Sequence, residues 1–296
     1  MHYELLALCA AQLWAMAALI SVYPARQLGA FAFNRWRMIC VTLMLGLMSL
    51  YTQGFATLNS GQLGQIALSG LIGIFIGDTA FYACLNRLGP RRAGVLFACH
   101  ALFSALFGIW LFSEQLQGMR LGGALLVFAG VVVAILFGRR GERKLEPNVA
   151  PLWIGIVLGL LAALCQSAGT LLAKPVMSAG VDPVAASCTR MAVAALAHGL
   201  LHALGQPLTR AQHPLSGKVL LSIISNGFLA MGVGMTLFLL ALRHGDVSMV
   251  AILSSTSPVM ILPLLWLYTR ERPKATAWLG ALLVVSGTAL VLTGKP

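Results

Sequence analysis

Charge is scarce in this chain. Only 9% of its 296 residues are Asp, Glu, Lys or Arg, against about 25% in soluble proteins, and eight of them are acids. A soluble domain of this size is excluded, since its surface would need far more charge. Paired carboxylates and NDxxD-like motifs are also missing, which argues against a membrane-embedded enzyme acting on lipid or isoprenoid substrates. Six cysteines (Cys9, Cys40, Cys84, Cys99, Cys165 and Cys188) lie singly in apolar stretches, with no CxxC pair and no histidine at metal-ligand spacing. They read as small buried apolar residues, and neither metal nor cofactor is expected. The apolar run after Glu4 extends to about Val22 with no basic residue before it, so it reads as a retained span rather than a cleaved signal.

Apolar residues are abundant instead, at 59% against roughly 45–50% in soluble proteins. The formal charge of +12 would suggest nucleic acid in a soluble protein, but apolar runs surround nearly all of these charges. No nucleic-acid partner is expected; the partners are a lipid bilayer and a small-molecule substrate. Runs bounded by charge, Pro and Gly place spans near 5–22, 37–52, 63–85, 93–112, 120–138, 152–173, 185–204, 218–241, 247–268 and 275–293. The most polar stretch, at 138–151, marks the boundary between halves. The chain therefore divides into a first unit at 1–138, a basic linker at 139–150 and a second unit at 151–296.

Odd-numbered connections carry Arg26, Arg35, Arg37, Arg87, Arg91, Arg92, Arg139, Arg140, Arg143, Lys144, Arg210, Lys218, Arg270, Arg272 and Lys274. The opposite face has Arg120, Lys174, Arg243 and Lys295. Fifteen against four puts the linker in the cytoplasm and both termini outside. Trp36, Trp110, Trp153, Trp266 and Trp278 stand near span ends, as indoles at the headgroup level do.

Sliding the second half back by 157 residues matches Gly70 with Gly227, Gly77 with Gly234, Thr79 with Thr236 and Glu114 with Glu271. "GALLVFAG" at 123–130 falls on "GALLVVSG" at 280–287. Nearer the start the offset slips to 153, where Arg37-Met38 meets Arg190-Met191. Five spans per copy is an odd number, so the second copy enters the membrane from the opposite side. The expected fold is an all-α membrane protein of ten transmembrane helices in two inverted five-helix repeats, an arrangement that suits alternating access.

"SGLIGIFIGDTAFYACLNRLGPRRAGVL", "SEQL" and "LGGALLVFAG", with the second copy ending in "RERPKATAWLGALLVVSG", resemble the drug/metabolite transporter superfamily, EamA type. The resemblance covers essentially the whole chain. It implies a central cavity and export of small metabolites such as amino acids or amphipathic drugs, from a bacterial inner membrane. The family often has a proline in the fourth span, but Ala101 aligns with Pro258, so no proline-driven break is expected in the first half. Relatives are usually drawn with cytoplasmic termini, opposite to this chain's charge count. GxxxG pairs at Gly73/Gly77 and Gly155/Gly159 read as packing contacts within the chain, and they do not fix the oligomeric state.

Polar residues inside apolar spans are the candidate site. Asp78 is the one acid well inside a span, with Tyr82 one turn on. It is a candidate for proton coupling, or it pairs with the basic loop at Arg87. His100, with Ser104 one turn on, is the second proton-coupling candidate. In "SSTSPVMILP", Ser254 to Ser257 precede Pro258, which should kink the helix and free the carbonyl of Ser254. The serines then contact substrate or satisfy the kink. Gln166, Thr170 and Lys174 form a stripe ending at Pro175, and Gln12 and Trp14 match the family's first-span polar-aromatic element. Arg37 and Arg190 either snorkel to headgroups or face inward and bind a substrate carboxylate. Glu114 and Glu271 are expected to cap the fifth and tenth spans. A phosphorylated or nucleotide-type substrate would need Lys174, Arg190 and Arg243 to converge.

Overall fold

A backbone in lipid must satisfy its own hydrogen bonds, so long apolar runs become helices. The computed structural model describes residues 3–137, 151–269 and 275–293, and no strand occurs among the described residues. The linker at 139–150 and Glu271 lie outside them. In chain order the helices are α1 (Tyr3–Leu28), α2 (Ala30–Tyr51), α3 (Ser60–Gly70), α4 (Thr79–Ala98), α5 (His100–Phe112) and α6 (Gly118–Phe137). There follow α7 (Leu152–Ser178), α8 (Pro183–Ala203), α9 (Gly217–Gly227), α10 (Met235–His244), α11 (Val247–Ser254), α12 (Ser257–Thr269) and α13 (Ala275–Thr293). A π-helical segment, Leu71–Asp78, joins α3 to α4, and another, Phe228–Gly234, joins α9 to α10. Their first residues are 157 apart in sequence.

Seven continuous stretches among the described residues are long and apolar enough to cross a bilayer, the longest being Ser60–Leu88. The outer surface is apolar: Leu43, Leu47, Leu196 and Leu200 are all more than 60% exposed. The interior is built largely from small residues, Ala7, Ala10, Ala11, Ala162, Ala163 and Ala173 among them, each fully buried. This is the packing expected in lipid, where close backbone approach replaces the hydrophobic drive between helices. The protein is thus an all-α integral membrane protein.

The helices of one half pack on those of the other. α1 lies against α9, its π-helical extension and α10, while α7 lies against α3, its π-helical extension and α4; α2 packs on α8, and α6 on α13. Ser69 on α3 donates to the Gly169 carbonyl on α7 at 2.6 Å, and Asn226 on α9 donates to the Ala17 carbonyl on α1 at 2.7 Å. Gly73 meets Gly169, Gly77 meets Cys165, and Gly155 and Gly159 meet Leu88 and Leu96, so both GxxxG pairs mediate contacts inside the chain.

Loop contacts fall in two sets. Leu28 accepts from the Gln212 backbone and Arg35 donates to the Thr209 carbonyl, tying the first connection to the seventh. Thr57 accepts from the Asp182 backbone, and Glu114 binds Val247 and Ser248, tying even-numbered connections together.

Several expectations are corrected. α2 starts at Ala30, seven residues before the expected span, so Arg35 and Arg37 are helical and Arg37 leaves the count of loop charges. α7 runs through Pro175 to Ser178 instead of ending there. The fourth span is interrupted at Cys99 without a proline. The Ser167 hydroxyl of α7 donates to the His100 carbonyl at 2.8 Å and accepts from Ser104 at 3.0 Å, so serines from two helices serve the broken turn. Glu114 caps α11, not the helix that follows it: Oε1 accepts from Val247 N at 2.6 Å, and Oε2 from Ser248 N at 2.9 Å and Ser248 Oγ at 2.5 Å.

Candidate functional site

The polar centre is assembled from α2, the Leu71–Asp78 segment, α4, α8 and α10. Neither arginine snorkels, which corrects that expectation: Arg37 is 2% exposed and Arg190 0%. Each enters the centre because its helix starts well before it, carrying the side chain about two turns into the bundle.

Arg37 is bonded at both terminal nitrogens, while its Nε, like that of Arg190, has no partner. Nη2 donates to Asp78 Oδ2 at 2.6 Å and to Asn34 Oδ1 at 2.8 Å, and Nη1 donates to Tyr82 Oη at 3.0 Å. Its guanidinium carbon also lies 5.2 Å from the Phe33 ring centroid and 5.1 Å from that of Tyr82. Asp78 therefore pairs with Arg37 from another helix and not with Arg87, and the connection expected at Arg87 is itself helical, within α4. Asp78 and Tyr82 share a helix face, as their i, i+4 spacing requires, and so bind the same guanidinium.

Arg190 is served much less well. Nη1 donates to the Met235 thioether at 3.1 Å, a weak acceptor, while Nε and Nη2 have no hydrogen-bond partner. Gly70 and Gly73 allow the approach: a Cβ on Gly70 would lie 2.6 Å from the Arg190 Cα, and one on Gly73 would lie 3.0 Å from Nη2. Asp78 interacts electrostatically with both arginines. Among the described residues, the buried centre thus contains two guanidinium groups and one carboxylate.

His198 borders it, buried, with Nε2 3.3 Å from Thr79 Oγ1 and its ring edge-on to Phe75 at 4.8 Å. Asn34, Arg37's pairing role, His198 and Met235 were not picked out in the sequence. Pairing the two repeat registers, Arg37 with Arg190 and Asp78 with Met235, would have singled out two of these positions, Arg37 and Met235.

The remaining candidates are placed as follows. Trp14 donates from Nε1 to the Ala230 carbonyl at 2.8 Å, inside the second π-helical segment, and stacks at 5.4 Å on Phe238. Gln12 is partly exposed on the same helix. His100 is buried against Phe97, with ring centroids 5.2 Å apart. Gln166 and Thr170 are buried, and Thr170 Oγ1 turns back to the Gln166 carbonyl. Ser254, Ser255 and Thr256 donate to the carbonyls of Ala251, Ile252 and Leu253, so these hydroxyls serve the interruption between α11 and α12. Ser257 is partly exposed, and the side chain of Pro258 lies outside the described residues.

The phosphate-type constellation is not formed. Lys174 Nζ donates to the Leu242 and Gly245 carbonyls at 2.9 and 2.7 Å, closing the carboxy-terminal end of α10. Arg190 binds Met235 at the other end of that helix. Seven residues of helix, about 10 Å, separate the two contacts, more than one phosphate spans.

Known proteins bear on what this centre serves. A relative described as "Aromatic amino acid exporter YddG", from Ancylobacter novellus, is 26% identical over 221 residues, covering 75% of this chain and 73% of its own. A "Probable amino-acid metabolite efflux pump" of Escherichia coli is 26% identical over 241 residues, covering 78% of each chain. One solved crystal structure, 22% identical, covers 97% of this chain and 95% of its own with a TM-score of 0.79, the same fold. The EamA-like transporter family matches residues 1–136 and 153–293. By family and relatives the chain is a transporter rather than an enzyme, and it belongs to the EamA-like transporter family.

Proposed function

We propose that the protein is a secondary exporter of small metabolites, with amino acids as the substrate class, working by alternating access between inverted repeats at 1–138 and 151–296. The observation that carries this reading is the reciprocal contact between halves. A Cβ on Gly123 would lie 2.7 Å from the Gly287 oxygen, and one on Gly130 the same distance from the Gly280 oxygen. Gly123 and Gly280, and Gly130 and Gly287, are the aligned pairs, so each position meets its counterpart's mate, as across a two-fold axis. The cross-bonds from Ser69 and Asn226, which are aligned positions, repeat the pattern. Such halves can exchange conformations about a central site. The names of the relatives support amino acids as cargo.

Asp78 is the proton-coupling group in this account, ahead of His100. Protonation of Asp78 removes the charge that holds Arg37 and so changes the contact between α2 and the Leu71–Asp78 segment, whereas His100 packs on Phe97 with no ionic partner among the described residues. The test is accumulation of labelled amino acids driven by a pH gradient in reconstituted vesicles. Asp78→Asn should abolish the response to the gradient and His100→Gln should keep it. If both variants respond like the wild type, coupling does not use either residue. In this reading the protein lies in a bacterial inner membrane with the basic linker cytoplasmic and both termini outside.

A further inference from the structure

The two halves treat the same arginine differently. Arg37 and Arg190 are aligned at the offset of 153, and Asp78 and Met235 at the offset of 157 that matches Gly77 with Gly234 and Thr79 with Thr236. In the first half the arginine meets a carboxylate at 2.6 Å; in the second it meets a thioether at 3.1 Å. The frame around both is alike: each arginine lies on the second helix of its half and reaches the end of a π-helical segment, Asp78 closing the first and Met235 following the second. What differs is the anion.

A buried guanidinium without an anion is costly, because the lost hydration is not replaced. Arg190 is 0% exposed, and its Nε and Nη2 have no partner. Asp78, the one carboxylate of the centre among the described residues, is bound directly to Arg37. The centre is therefore built for one more anion than the protein supplies, and the donors left over belong to the group best suited to a planar carboxylate.

We propose that Arg190 is the anchor for the carboxylate of the exported compound, which takes at Arg190 the place that Asp78 takes at Arg37. Met235 fills that place with an uncharged thioether, a weak acceptor that the carboxylate displaces from Nη1. The cargo is accordingly an amino acid or another small monocarboxylate, and an amine or carboxamide of the same skeleton is rejected. This rests on the export reading, but one arm of its test does not.

An aspartate Oδ stands as many bonds from Cα as the methionine Sδ, so Met235→Asp places a resident carboxylate at the Arg190 contact. In the purified full-length protein, thermal unfolding of Met235→Asp is expected above that of the neutral control Met235→Asn by about 3 °C or more. A Met235→Asp protein that unfolds at or below the control overturns the proposal, because Arg190 then has no anion site to fill. In proteoliposomes, free amino acids should exchange at least about tenfold faster than their carboxamides, the loss expected for one charge-assisted hydrogen-bonded pair. Met235→Asp should lose that exchange. Equal exchange of acid and carboxamide by the wild type overturns the proposal. Absence of any exchange counts against export itself, and the unfolding comparison still decides whether Arg190 accepts an anion at the Met235 position.

Discussion

Gly123 and Gly287 face each other so closely that a Cβ on either would lie 2.7 Å from the other's carbonyl oxygen. Backbone, not a flexible side chain, fills the space, so α6 and α13 cannot yield without separating. Gly123→Ala is expected to destabilise the protein by about 1–3 kcal/mol, the usual cost of overpacking. Gly122→Ala, one residue away with nothing within 4 Å of its Cβ, should be neutral or slightly stabilising. Thermal unfolding of the two variants in the same detergent checks the contrast.

The Arg37–Asp78 pair is buried, so removing one member strands the other. Asp78→Ala should cost roughly 3–5 kcal/mol, and Arg37→Met a similar amount. The double variant should cost less than the two singles added together, because neither charge is left alone. A double-mutant cycle by denaturant unfolding measures the coupling; additive losses would mean that the pair contributes nothing as a pair.

Glu114 ties one half to the first turn of α11 through three bonds, two of them to backbone N–H groups. Glu114→Ala should cost about 1–2 kcal/mol, in the range of lost helix caps. Hydrogen exchange should rise first at Val247 and Ser248, and unchanged protection there would show the cap to be dispensable.

On the ten-span topology proposed above, basic residues still favour one face after Arg37 is moved to the interior, fourteen against four. A carboxy-terminal alkaline phosphatase fusion is therefore expected to be active and a fusion within 139–150 inactive. The reverse pattern would put the termini in the cytoplasm.

Membrane insertion and helical class were legible because hydropathy acts over twenty residues at a time, and errors of a few positions do not change it. The kink before Pro258 was legible because proline's missing N–H is a local fact. The break at Cys99 was not, since no proline marks it and the Ser167 hydroxyl that bonds the neighbouring His100 carbonyl comes from α7, far away in sequence. Distance in sequence likewise hid the partners of Asp78 and Glu114. Asp78 was visible as a lone acid, but its choice of Arg37 over Arg87 is set by helix packing across α2 and α4. From sequence alone Arg37 reads as a snorkelling residue because the apolar run begins beside it; α2 begins at Ala30, and the side chain lies two turns in.

Transport itself is tested most directly by counterflow in proteoliposomes preloaded with a mixture of amino acids and common metabolites. External labelled compounds are offered, and mass spectrometry identifies which internal ones leave in exchange. The account predicts selective exchange of one or a few amino acids or related small carboxylates, abolished by Arg190→Met. Folded, inserted protein that exchanges none of them would contradict it.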